Sequence, residues 1–114
     1  MTRHEDTVRL RHMLEHAREA VELTEGKSRA DLDSDRTLEL ALTRLVEIVG
    51  EAAARVTPQT QERCQQVPWP DIVGLRNRLV HGYDSVDLDI LWAIIRDDLP
   101  PLIATLEDVL DEEG

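Results

Sequence analysis

The 114-residue sequence has a single cysteine, no phenylalanine, and only three aromatic residues, Trp69, Tyr83 and Trp92. With Cys64 alone, an intrachain disulfide and a thiolate metal cluster are both excluded. No apolar run approaches the roughly 18 residues of a membrane span. The segment Met1 to Thr7 lacks the apolar stretch of a signal peptide. A cytoplasmic protein with no membrane segment is expected. No glycine-rich phosphate loop and no Gly-x-Ser-x-Gly elbow occurs.

Basic side chains are also scarce, 13 against 24 acidic ones, for a formal net charge of -11. Twelve of the 13 are arginine, which genomic base composition alone can produce. A uniformly acidic surface repels polyphosphate, so a general nucleic-acid-coating protein is excluded. The deficit is uneven. Residues 1–83 hold 14 acids and 12 bases, whereas residues 84–114 hold 10 acids and one base, Arg96. The first part can therefore carry a local basic site, and the acidic last helix is expected to lie away from it or to meet a basic partner.

Plentiful Leu, Val, Ile and Ala with few aromatics favour a helix bundle over a β-sandwich. The length fits one domain, residues 1–114, burying roughly two-thirds of its unfolded surface. Leu10, Met13, Leu14, Ala17, Val21 and Thr24 recur at three- and four-residue steps, one apolar helical stripe over about residues 5–25. Gly26 is a stop signal, and a polar loop, Lys27 to Asp33, follows. Asp33 or Ser34 is placed to cap a second helix reaching about Val56, whose apolar positions cover more than one face. Thr57-Pro58 opens a short helix through Cys64. Val67-Pro68-Trp69-Pro70 interrupts it. A further helix from Pro70 to Gly82 and a last one from about Asp87, kinked near Pro100-Pro101, complete the reading. The expected fold is all-α: an antiparallel bundle of four main helices with one extra short helix.

Asp31-Leu-Asp-Ser-Asp resembles the start of a calcium loop, but the sixth and twelfth positions are Arg36 and Leu42 instead of glycine and glutamate. A capping loop is the better reading. His12 and His16 have a metal-compatible spacing with no third ligand following at a diagnostic distance, so two surface histidines are expected. Cys64 reads as a small residue on the short helix.

The segment Arg76-Asn77-Arg78-Leu79-Val80-His81-Gly82-Tyr83 gathers two guanidiniums, an amide, an imidazole and a phenol. If the helix continues, Asn77 and His81 lie one turn apart on one face, Arg76 converges only through its long side chain, and Arg78 points elsewhere. A plain reading is equally open: cations near a helix C-terminus favour the dipole, and Gly82 is an ordinary terminator.

Arg76-x4-His81-x-Tyr83 resembles the signature of the HepT-like branch of the HEPN superfamily. Ile48-Val-Gly-Glu-Ala-Ala53, Val67-Pro-Trp-Pro70, Val86-Asp87, Trp92 and Asp98-Leu-Pro100 resemble its flanking segments, so the likeness covers about residues 5–110. The resemblance implies an all-helical toxin of a toxin–antitoxin pair that forms a homodimer. It further implies metal-independent endoribonuclease activity on cellular RNA, tRNA or mRNA, with no cofactor. The implied partner is an MntA-type minimal nucleotidyltransferase antitoxin that transfers AMP from ATP to the motif tyrosine, here Tyr83. An alternative is a HEPN protein that no longer cleaves RNA and only binds or presents itself to the nucleotidyltransferase.

The residues suit the implied chemistry. His81 would act as general acid or base. Arg76 would hold the phosphate as its charge grows, and Asn77 would orient the imidazole or bind a phosphate oxygen. One motif supplies one proton-transfer group, so a dimer pairing two motifs would complete the site. AMP on Tyr83 would set phosphate charge beside Arg76 and a base in the RNA path.

Overall fold

The computed structural model describes residues 3–80 and 85–113. The described residues form eight α-helical segments and one π-turn: α1 His4–Leu23, α2 Asp31–Ser34, α3 Arg36–Arg55, α4 Pro58–Arg63, α5 Trp69–Val73, α6 Leu75–Leu79, α7 Leu88–Ala93, the π-turn Ile94–Asp98 and α8 Leu99–Glu113. The all-α expectation holds. Among the described residues the one β-type pairing is a single antiparallel bridge between Val80 and Val86.

Contacts between distant residues fix the helix directions. Asp6, near the start of α1, takes hydrogen bonds from Thr57 and Thr60, just beyond the end of α3. Arg96 reaches Thr24 and Arg18 reaches Glu107, so α8 runs back along α1. The glycine at position 50 lies against the carbonyl of Ile72 while Glu47 meets Arg76, which sets α5–α6 antiparallel to α3. The apolar stripe read from α1 buries Leu10, Met13, Leu14 and Ala17. It meets Leu42, Val46 and Val49 of α3, Leu75 and Leu79 of α6, and Ile94, Ile95, Leu99 and Leu106 in one continuous core.

Asp6 is fully buried and the polar pin of this packing. Burial alone would push its carboxyl up. The Thr57 and Thr60 hydroxyls, with the Thr57 N–H, hold it below the ordinary carboxylate value, and Arg3 adds attraction. The Thr57 hydroxyl is thereby spent on Asp6, 2.5 Å away, and makes no cap bond to α4. Pro58 still takes the first helical position.

Three boundaries differ from the sequence reading. The expected polar loop contains the four-residue α2, because Asp31 accepts from the N–H and hydroxyl of Ser28 while Leu32 is buried. Asp35, not Asp33 or Ser34, caps α3 by accepting the Leu38 N–H at 3.0 Å. The helix expected from Pro70 to Gly82 is two segments broken at Gly74, and it ends at Leu79. Val80 is already extended, the Leu79 carbonyl accepts from the Asp87 N–H, and the Val80–Val86 bridge draws the chain away from the helix axis.

Other expectations hold. Gly26 ends the first helix region with φ +73°, a left-handed conformation suited to glycine. Asp87 caps α7 by accepting the Ile90 N–H at 3.0 Å. The irregularity expected at Pro100-Pro101 is the π-turn just before them, where the Leu99 N–H bonds Ile94 O five residues back. Two prolines cannot donate to the preceding turn, and the wider turn accommodates that loss.

Candidate active site

The motif helix is delivered by a corner. Trp69 is buried, and its indole N–H is shared between the carbonyls of Gln61 and Cys64, both at 3.1 Å. These belong to the end of α4, where each also accepts one backbone N–H, from Cys64 and Val67 respectively. The tryptophan thus caps one helix while starting the next. Gly50 lets α5 close on α3: a Cβ there would stand 3.1 Å from Ile72 O. Leu75 and Leu79 bury the inner side of α6, leaving Arg76, Asn77 and Arg78 exposed.

The two arginines diverge. Arg76, with its side chain 70% exposed, approaches Glu47 of α3 through Nε at 3.4 Å. Arg78 Nη1 donates to Asp98 of the π-turn at 2.9 Å. Arg78 therefore points away from the Arg76 side, as the helical geometry implied. Pairing through Nε uses the side edge of the Arg76 guanidinium. Its Nη1 and Nη2 fork makes no hydrogen bond among the described residues and can receive a second anion end-on. Glu47 is also 3.8 Å from Arg44, and Arg44 donates to Glu51 at 3.2 Å. A charged row, Arg76–Glu47–Arg44–Glu51, thus follows one side of α3.

Asn77 is exposed beside Arg76. His81 and Tyr83 lie outside the described residues. The expected relation between Asn77 and His81 therefore lies outside the described residues as well; what is described is that α6 ends at Leu79 and that Val80 is extended.

Sequence reasoning missed Glu47 and Asp98 as partners of the motif arginines. Glu47 had a visible signal, a carboxylate inside the apolar run Leu45-Val46-Glu47-Ile48-Val49, which invites a cationic neighbour. Asp98 had none. Asp98 brings the acidic last segment against Arg78, on the side of the motif helix away from Arg76. Asp89, Asp98 and Glu107 each hold an arginine of the first part, Arg29, Arg78 and Arg18. Three of the ten acids of this segment are thus counter-charges of the chain's own arginines.

The other weak signals resolve simply. His16 Nδ1 donates to the His12 carbonyl at 2.7 Å, and the two rings meet edge to face. No group of three or more metal-binding side chains occurs among the described residues. Cys64 is buried. No helix among the described residues is long and apolar enough to cross a membrane.

A helical bundle, with a proline–tryptophan corner feeding a short helix that presents Arg76, defines a HEPN-type protein. A family model described as "Ribonuclease HepT-like" matches residues 13–109, and the chain belongs to that family. A protein of Caldanaerobacter subterraneus subsp. tengcongensis named "Putative RNase TTE0752" is 33% identical over 104 residues, covering 91% of this chain and 93% of its own length. "Putative RNase MJ1380" of Methanocaldococcus jannaschii is 33% identical over 97 residues, 85% of this chain and 89% of its own. "Probable ribonuclease HepT" of Thermococcus cleftensis is 32% identical over 98 residues, 82% and 89% of the two chains. No solved structure matches the chain significantly.

Proposed function

We propose that this chain is a ribonuclease toxin that cleaves cellular RNA by a metal-independent route, using Arg76, Asn77 and His81. Membership of the HepT-like ribonuclease family carries the reading, and the ribonuclease names of its relatives support it. The ribose 2′-hydroxyl attacks the adjacent phosphorus while a base removes its proton. The 5′-oxygen leaves as it gains a proton, giving a 2′,3′-cyclic phosphate and a 5′-hydroxyl. His81 moves a proton in this sequence. The outward fork of Arg76 takes the non-bridging oxygens, whose charge increases in the transition state. Asn77 orients the imidazole or binds a phosphate oxygen. A homodimer places two motifs together and supplies both proton-transfer groups.

The same reading assigns the off-switch to an MntA-type nucleotidyltransferase antitoxin in the cytoplasm. The phenol oxygen of Tyr83 attacks the α-phosphorus of ATP, pyrophosphate leaves, and AMP remains on the ring. The added phosphate competes for Arg76 and the base obstructs the RNA.

Expression without the antitoxin tests the toxin: the wild type should arrest growth and degrade RNA, and His81→Ala and Arg76→Ala should do neither. A wild type that leaves RNA intact overturns the activity. Intact mass after incubation with the antitoxin and ATP should rise by AMP units, and Tyr83→Phe should abolish the gain.

A further inference from the structure

A groove of about 370 Å³ opens between α1 and α3, within the size range of small-ligand sites. Val8, Ile48 and Ala52 form its apolar part, while Arg9 of α1 and Arg55 of α3 flank it. In this acid-rich chain, Arg18, Arg29, Arg44, Arg76 and Arg78 are matched to carboxylates, while Arg11 and Arg96, outside the groove, hold none among the described residues. Arg9 and Arg55 hold no carboxylate among the described residues. The two acids at the groove, Glu5 and Glu51, are taken by arginines outside it, Arg3 and Arg44. His4 and His12 add imidazole nitrogens that can meet phosphate oxygens. The groove thus keeps two guanidiniums left over from these ion pairs above an apolar floor, beside the two paired glutamates, in a molecule of net charge -11. That pairing suits a phosphodiester with an adjoining base, since guanidiniums bind phosphate and an apolar surface accepts the face of any base.

Its position gives the groove a purpose. Glu51 belongs both to its wall and to the charged row that ends at Arg76. From Glu47 to Arg55 is eight residues, about 12 Å along the helix axis. We infer that the α1–α3 groove is a second RNA-holding subsite, in which Arg9 and Arg55 grip the strand's phosphates at a distance from the scissile bond. The inference rests on the ribonuclease reading and adds to it a site for the strand beyond the motif.

The test is fluorescence anisotropy of a short labelled 2′-O-methyl RNA oligonucleotide, which lacks the attacking hydroxyl and so reports binding without cleavage. The double variant Arg9→Gln, Arg55→Gln should bind about ten- to a hundredfold more weakly than the wild type. Its log affinity against log salt should lose about 1.4 of slope, since each single-strand phosphate contact contributes about 0.7. Arg9→Lys, Arg55→Lys keeps both charges and should restore the slope, which a mere folding defect would not allow. Unchanged affinity and slope in the Gln variant overturn the subsite. So does AMP displacing the probe as well as unlabelled oligonucleotide does, which makes the groove a free-nucleotide site. A change in sedimentation without a change in binding also overturns it, as a contact between copies. A wild type that cleaves nothing yet binds through these arginines refutes the ribonuclease reading alone; one that cleaves with no groove dependence refutes the subsite alone.

Discussion

At the motif helix each guanidinium meets a carboxylate, Arg76 with Glu47 and Arg78 with Asp98, whereas in the α1–α3 groove Arg9 and Arg55 meet none among the described residues. Counted along the chain, residues 76–83 form a basic island and the groove does not exist. Counted in space, the island's two arginines are matched, and the groove holds two of the guanidiniums left without a carboxylate among the described residues. Net charge, and even charge by region, is therefore a poor guide to where a polyanion is attracted; what decides is which cations remain after internal pairing. The two regions also divide labour under the readings above: one arginine held for chemistry, two left loose for grip.

The largest expected effect separates these roles. Arg76→Ala should lower kcat about 10²–10³-fold, the cost of removing one preorganised donor to developing charge. The groove variant should raise KM in steady-state cleavage assays. Equal effects on kcat from both regions would erase the distinction.

The frame that holds the regions together comes next. Asp6→Ala leaves the Thr57 N–H and two hydroxyls without their acceptor and should cost about 2–3 kcal/mol, roughly 10 °C in thermal unfolding. The Asp6 carboxyl is depressed in the folded chain. Its contribution is therefore complete above the unfolded carboxylate value of about 3.9 and is lost as pH falls through the lower folded value. Stability curves should show wild type losing this advantage over Asp6→Asn only in that acid range.

Gly50→Ala sets a methyl 3.1 Å from the Ile72 carbonyl; the overpacking, about 1–3 kcal/mol, outweighs the roughly 1 kcal/mol gained in helix propensity and leaves a net cost of up to about 2 kcal/mol. Because the displaced segment leads to Arg76, activity should fall in samples still fully folded by circular dichroism. Asp98→Asn releases only an exposed pair and should shift stability by less than about 1 kcal/mol. By freeing Arg78 it should tighten oligonucleotide binding slightly at low salt and not at high salt.

How much of this was legible follows from the range of each interaction. The range of α1, the body and end of α3, the Thr57-Pro58 start and the Asp87 cap come from spacing and capping within a few residues, and they were readable; the α3 cap was misplaced because three aspartates and a serine crowd residues 31–35. So was the irregularity at Pro100-Pro101, though its π form was not. The early end of α6 was not readable, because Val80 is turned aside by pairing with Val86 and by the Leu79–Asp87 hydrogen bond, not by a local stop signal. Arg76 and Asn77 were found as candidates by their motif, and Arg76's exposed setting suits one. Glu47 lies 29 positions from Arg76, and the groove joins residues 9 and 55, separations at which a linear motif says nothing.

The tryptophan at the α4–α5 corner has a practical consequence. The chain has no phenylalanine, one tyrosine and two indoles, Trp69 buried at the corner and Trp92 half-buried under Arg96. Replacing Trp92 with phenylalanine would leave one indole, selectively excited at the red edge of its absorption where Tyr83 does not absorb, its N–H fastened to two carbonyls at the corner before the motif helix. The intrinsic emission of that variant is then a label-free gauge of this one corner, able to register strain passed back from Arg76 when RNA docks or when AMP is attached.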